Sequence, residues 1–109
     1  MAALVTTGTW TVDPIKEVAF IDAWTAFAAW ASSMPGAGTL RLGRDVSDAA
    51  RFVSYAGWED ADAVRAWKSV PEFRERLAQV LQHVEDFHAA ELDVVATGST
   101  ANQTQTTGG

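Results

Sequence analysis

The stretch GTLRLGRDVSDAARFVSYAGW, residues 38–58, decides the fold. Over Gly38–Arg44 the chain alternates, with Leu40 and Leu42 on one side and Arg41 on the other. Asp45–Ala49 reads as a polar turn. Alternation resumes over Arg51–Trp58, where Phe52, Ser54, Ala56 and Trp58 share one face and Val53, Tyr55 and Gly57 share the other. Two half-buried strands around a short polar turn make an antiparallel hairpin.

Upstream, Pro35-Gly36 stops whatever precedes the hairpin. From Ile15 to Met34 the apolar residues follow helical spacing: Ala19, Phe20, Ala23, Trp24, Phe27, Trp30, Ala31 and Met34 fall on one half of the helical wheel. Asp13-Pro14 predicts the start of this helix, with Asp13 as N-cap and Pro14 where a missing N–H costs nothing. Leu4–Val12, rich in β-branched residues, predicts a first strand with Gly8 as a candidate bulge. Downstream of the hairpin, the acidic run Glu59–Asp62 predicts the N-terminus of a short helix that continues to about Trp67. Ser69 and Glu72 read as the capping pair of a further helix. Its stripe is Phe73, Leu77, Val80, Leu81, Val84 and Phe87, which puts His88 near its C-terminus. Glu91–Ala96 predicts a last strand.

The order is β-α-β-β-α-β with one extra short helix, an α+β fold of the ferredoxin-like split βαβ type with an antiparallel sheet. Residues 1–97 form one domain in this reading, and 98–109, without a large apolar side chain, form a polar tail. Two long helices cover one sheet face. The other face carries Val53 and Tyr55 and predicts a homodimer, sheet against sheet.

With 109 residues and a net charge of −6, the chain has no basic cluster suited to a phosphate backbone, so nucleic acid is not an expected partner. No apolar run approaches the roughly 18 residues of a membrane span, and no N-terminal export signal is evident. A cytoplasmic domain that does not engage membrane is the expectation. The absence of cysteine excludes disulfides and thiolate chemistry. Only two His and no carboxylates at ligand spacing predict no metal site. Five Trp and five Phe are a large aromatic load for so short a chain.

Met34-Pro35-Gly36, then Tyr55-x-x-Trp58-Glu59, then Ala66-Trp67-(x)5-Phe73 resemble the antibiotic biosynthesis monooxygenase domain family, over about residues 6–96. The resemblance implies a dimeric α/β barrel with a hydrophobic pocket between helices and sheet in each subunit. Activities in that family include oxygenation of aromatic polyketides and quinols without a cofactor, and haem breakdown. Haem-degrading members carry an axial His nine or ten residues after the Trp that matches Trp67. Arg76 and Leu77 stand there, and His83 lies too far along to substitute, which disfavours haem degradation. Anthrone-oxidising members carry an Asn four residues before the Trp that matches Trp58 and a Tyr six residues after it. Ser54 and Val64 occupy those positions, so a hydrogen-bonding group remains at one and none at the other.

The candidate catalytic residues are therefore Ser54, Trp58 and His83. Ser54 either bonds within the sheet or faces a pocket; Trp58 either flanks a substrate ring or is core. His83 acts as a base if it reaches the substrate and is otherwise half-solvated. Trp24, Phe27, Trp67 and Phe87 are candidate substrate-binding rings, suited to a flat aromatic or quinone-like small molecule. Together these readings predict a monooxygenase-like protein working without a cofactor. A non-catalytic binding domain, or an isomerase or cyclase of the same fold, is the alternative.

Overall fold

The computed structural model describes residues 4–98. It contains β1 (Leu4–Thr11), a single 3-10 turn (Pro14–Lys16), α1 (Glu17–Ala31), β2 (Ala37–Asp45), β3 (Asp48–Trp58), α2 (Ala61–Ser69), α3 (Pro71–Leu81) and β4 (Asp86–Asp93). The sheet order is β2-β3-β1-β4 and each neighbouring pair is antiparallel. This is the ferredoxin-like α+β topology. The polar tail expected at 98–109 lies, after Gly98, outside the described residues. Among the described residues no helix is long and apolar enough to cross a membrane.

The helices lie on one sheet face, where the strand period sends Leu4, Thr6, Gly8 and Trp10 of β1 and Phe52, Ser54, Ala56 and Trp58 of β3. From α1 the buried contribution is Phe20, Trp24, Phe27, Ala28 and Ala31. Ala28 takes the inward place expected of Ala19, which is exposed. Val64, Trp67 and Val80 complete the buried core from α2 and α3. Asp13 accepts from the Ile15 N–H as the predicted cap, and Pro14 opens the 3-10 turn that feeds α1. Gly36 ends the exit from α1 at φ +83°, in the left-handed region open to glycine, and a Cβ there would lie 2.7 Å from the Ala63 Cβ.

Five local expectations are corrected. The Val80–Phe87 stripe is not one helix: α3 ends at Leu81, and a turn through Gln82 and His83 leads into β4. The Glu85 N–H donates to the Thr11 carbonyl at 2.8 Å and zips the chain onto β1, so that β4 begins at Asp86, five residues before the predicted strand. Phe87 is half-buried and turned inward by strand pairing opposite Trp10, so its spacing from Val80 and Val84 only mimics a helical stripe. His88 is therefore on β4, exposed on the outer face and 3.0 Å from Asp86, and not at a helix terminus. Gly8 is not a bulge, since pairing runs through it without a shift on both sides. Ser69 does not cap α3: it is the last residue of α2 and donates to the Ala66 carbonyl at 2.9 Å, leaving Val70 as the cap residue with no side-chain bond. The hairpin turn is also tighter than expected, because β3 already begins at Asp48.

Candidate active site

The cavity follows from the order of large and small residues across the inward face. One cross-strand row reads Leu42, Ser54, Gly8 and Ala89; the next reads Leu40, Ala56, Thr6 and Glu91. Four of these eight positions are Gly, Ala or Ser. The rows on either side carry rings: Phe52, Trp10 and Phe87 at one end, and Trp58 at the other. Small residues between bulky ones leave a hollow in the sheet that helices of normal spacing do not fill. The hollow is a cavity of about 190 Å³. Its roof is Trp24 and Phe27 from α1, Trp67 from α2, and Phe73 and Leu77 from α3.

The rings are packed against one another, which makes the walls stiff. Phe73 meets Trp67 edge-on with centroids 4.9 Å apart, and Phe27 lies 5.9 Å from Trp67 and 6.0 Å from Phe73. Trp10 and Phe87 are 4.2 Å apart. Such pairs add about 0.5–1.5 kcal/mol each beyond their buried area.

Ser54 lines the cavity, and its Oγ accepts a hydrogen bond from the Trp10 Nε1–H at 3.0 Å. The indole occupies an acceptor site of the hydroxyl, so the Ser54 O–H is left to donate. Gly8 makes this bond possible. A Cβ on Gly8 would stand 2.9 Å from the Ser54 Oγ, 3.0 Å from the Phe87 ring and 3.1 Å from the Trp10 Nε1. Trp67 also lines the cavity and carries a buried indole N–H with no partner among the described residues. A donor in that state costs on the order of 1–3 kcal/mol.

The structure brings Ser54, Trp24, Phe27, Trp67 and Phe87 to one cavity. Trp58 and His83 are outside its lining. Trp58 is fully buried, donates from Nε1 to the Thr6 Oγ1 at 3.0 Å, and stacks behind Trp67 with centroids 4.5 Å apart. His83 sits in the turn after α3, where its backbone N–H donates to the Val80 carbonyl. Val64 is buried away from the cavity. Leu77 is part of the roof, whereas the Arg76 guanidinium lies over the Trp30 ring at 5.3 Å; neither residue offers a ligand for haem iron. Among the described residues no three His, Asp or Glu side chains converge as metal ligands do. Trp10, Gly8 and Lys68 belong to the lining and were not singled out by sequence reasoning. The phase of β1, which puts Trp10 in step with Thr6 and Gly8, was the available signal for the first two.

The architecture is thus a ferredoxin-like α+β domain with a ring-walled cavity between sheet and helices. Residues 3–89 match the antibiotic biosynthesis monooxygenase family, and the chain belongs to that family. Among solved structures it is similar to a variant of SnoaB, a cofactor-independent oxygenase from Streptomyces nogalater. The TM-score is 0.80 at 20% identity, covering 89% of this chain and 97% of that one. A proposed antibiotic biosynthesis monooxygenase from Deinococcus radiodurans matches with TM-score 0.78 at 14% identity over 88% and 96% of the two chains. A conserved protein from Methanosarcina mazei Go1 matches with TM-score 0.77 at 12% identity over 85% and 93%. No curated protein matches the chain.

Proposed function

We propose that this protein is a cofactor-independent monooxygenase acting on a flat, electron-rich aromatic of the quinol or polyketide type, and that it works as a homodimer. The observation that carries the reading is the donor-presenting Ser54 hydroxyl inside a ring-walled hollow. The oxygenase description of SnoaB and the family membership agree with it. Triplet oxygen reacts slowly with closed-shell molecules unless the substrate donates an electron, which a phenolate or enolate does readily. For a benzylic methylene flanked by such a system, R₂CH₂ + O₂ gives R₂C=O + H₂O. One oxygen atom forms the carbonyl, the other leaves as water with both hydrogens, and the substrate supplies all four electrons.

Ser54 donates to a substrate oxygen and fixes its orientation. Trp24, Phe27, Trp67 and Phe87 clasp the ring and exclude water. Trp58 acts as the buttress of Trp67, and the substrate proton passes to water, because His83 lies outside the lining. Size constrains the ligand further. A closed apolar cavity of roughly 150 Å³ holds one benzene ring, so the present space encloses one ring with some margin. A fused polycycle has to extend through the mouth.

The test is oxygen uptake with a naphthalene quinol and with an anthrone, using purified protein. Uptake is expected to track enzyme concentration and to stop without oxygen, and Ser54→Ala is expected to lower kcat/KM by about tenfold or more, the equivalent of one hydrogen bond to a polarised oxygen. Turnover that continues unchanged under anaerobic conditions overturns the reading. The alternative, a binding domain or an isomerase, draws on the absence of a titratable group at Val64. It predicts saturable binding with no uptake, or a product of unchanged mass.

A further inference from the structure

Lys68 is the one charged residue in the cavity lining among the described residues. It lies in the last turn of α2, and its Nζ donates to the Glu91 Oε2 at 2.6 Å. Glu91 is on β4 in the row of Ala56 and Thr6 on the inward face, yet it is not itself part of the lining. Lys68 and Glu91 together line a shallower groove outside, with Arg65 and Ser69. The lysine therefore belongs to both spaces, held at the boundary by its carboxylate partner.

Side-chain exposures of 31% for Lys68 and 46% for Glu91 make this a solvent-accessible pair, of the kind that contributes little to stability. A four-carbon stem lets the ammonium change partner at small cost. Of the other cations on the hairpin, Arg41 lines a separate groove and not this cavity, and two are committed elsewhere. Arg44 pairs with Glu17 and lies over Phe52, and Arg51 pairs with Asp45 at 2.9 Å. Inside the cavity, the Ser54 hydroxyl is a donor as well. A cation beside a donor in an otherwise apolar space favours an anionic oxygen over a neutral one, and a drier site strengthens the attraction.

We infer that Lys68 is the specificity-determining counter-ion of this cavity, exchanging Glu91 for the anionic oxygen of a phenolate or enolate ligand. The inference rests on the cavity being a small-molecule site as proposed above. Glu91 holds the ammonium in reserve and competes with the ligand.

The experiment uses the full chain with two one-ring probes, 4-nitrophenol and the neutral 4-nitroanisole, followed by quenching of tryptophan fluorescence and, for the phenol, by absorbance titration. The phenolate is expected to bind about tenfold tighter than the ether, and the bound phenol to titrate about one pH unit lower than the free one. Lys68→Met is expected to bring the two affinities within about twofold and to remove the shift, with ether binding unchanged. Lys68→Arg is expected to retain both, and Glu91→Gln to tighten phenolate binding alone. A wild-type protein that binds both probes equally, or a Lys68→Met protein that keeps the preference, overturns the role of Lys68 while leaving the cavity as a binding site. Binding of neither probe overturns the site and the inference together.

Discussion

Gly8 shows how much one hydrogen atom in place of a side chain decides. Its missing Cβ leaves room for the Trp10–Ser54 hydrogen bond at the cavity wall. Gly8→Ala is expected to force Ser54 and Phe87 apart, to cost about 1–3 kcal/mol of stability by denaturant titration, and to weaken aromatic ligand binding more than Ser54→Ala does. Trp58 makes the opposite case. Trp58→Phe takes the donor from the buried Thr6 hydroxyl and some bulk from behind Trp67, and is expected to cost about 1–3 kcal/mol while ligand affinity falls only slightly. At this scale period alone reads the sequence well: Ser54 and Trp58 share a face because they are four residues apart on a strand. Which of them meets empty space was not legible, because that depends on Gly8 and Ala89, which reach them only through strand pairing.

Among the elements, the β2–β3 hairpin carries its own electrostatic lock. The Ser47 backbone N–H at 2.7 Å and then the Arg51 guanidinium at 2.9 Å hold the Asp45 carboxyl below its usual value of 3.8. A carboxyl with a depressed folded pKa stabilises the fold above its unfolded value, and that stabilisation disappears as the pH falls through the lower, folded value. Protection of the Ser47 amide from exchange, relative to its intrinsic rate at each pH, is therefore expected to fall below about pH 4, the ordinary range for an Asp, and Asp45→Asn is expected to remove that dependence. Beside the hairpin, Gly36→Ala is expected to cost more than about 1 kcal/mol, since φ +83° and the contact with Ala63 both oppose a Cβ. The hairpin and α1 were readable from alternation and helical spacing with their Asp13, Pro14 and Gly36 punctuation. The passage from α3 to β4 was not. Residues 82–86 contain neither Gly nor Pro, and Val84 and Phe87 fit a helical stripe as well as a strand; the hydrogen bond from Glu85 to Thr11, seventy-four residues away in sequence, settles the matter.

The whole molecule has one covered and one open sheet face. Tyr55 and Leu92, about half exposed, lie on the open side with Val5 and Val53. The homodimer proposed above covers this face, and Tyr55→Asp combined with Leu92→Asp is expected to shift the protein to monomer in sedimentation experiments at micromolar concentration. A wild-type protein that sediments as a monomer at all concentrations overturns the dimer. The amino-acid order by itself determined the periods of the elements, their punctuation and thereby the α+β topology, because those signals act between residues a few positions apart. Only the folded chain decided where the hollow lies, what Ser54 bonds to and which cation stands at the mouth. Those properties arise from β1 pairing with β3 and β4 and from α2 meeting β4, contacts between segments whose separation along the chain leaves no local trace.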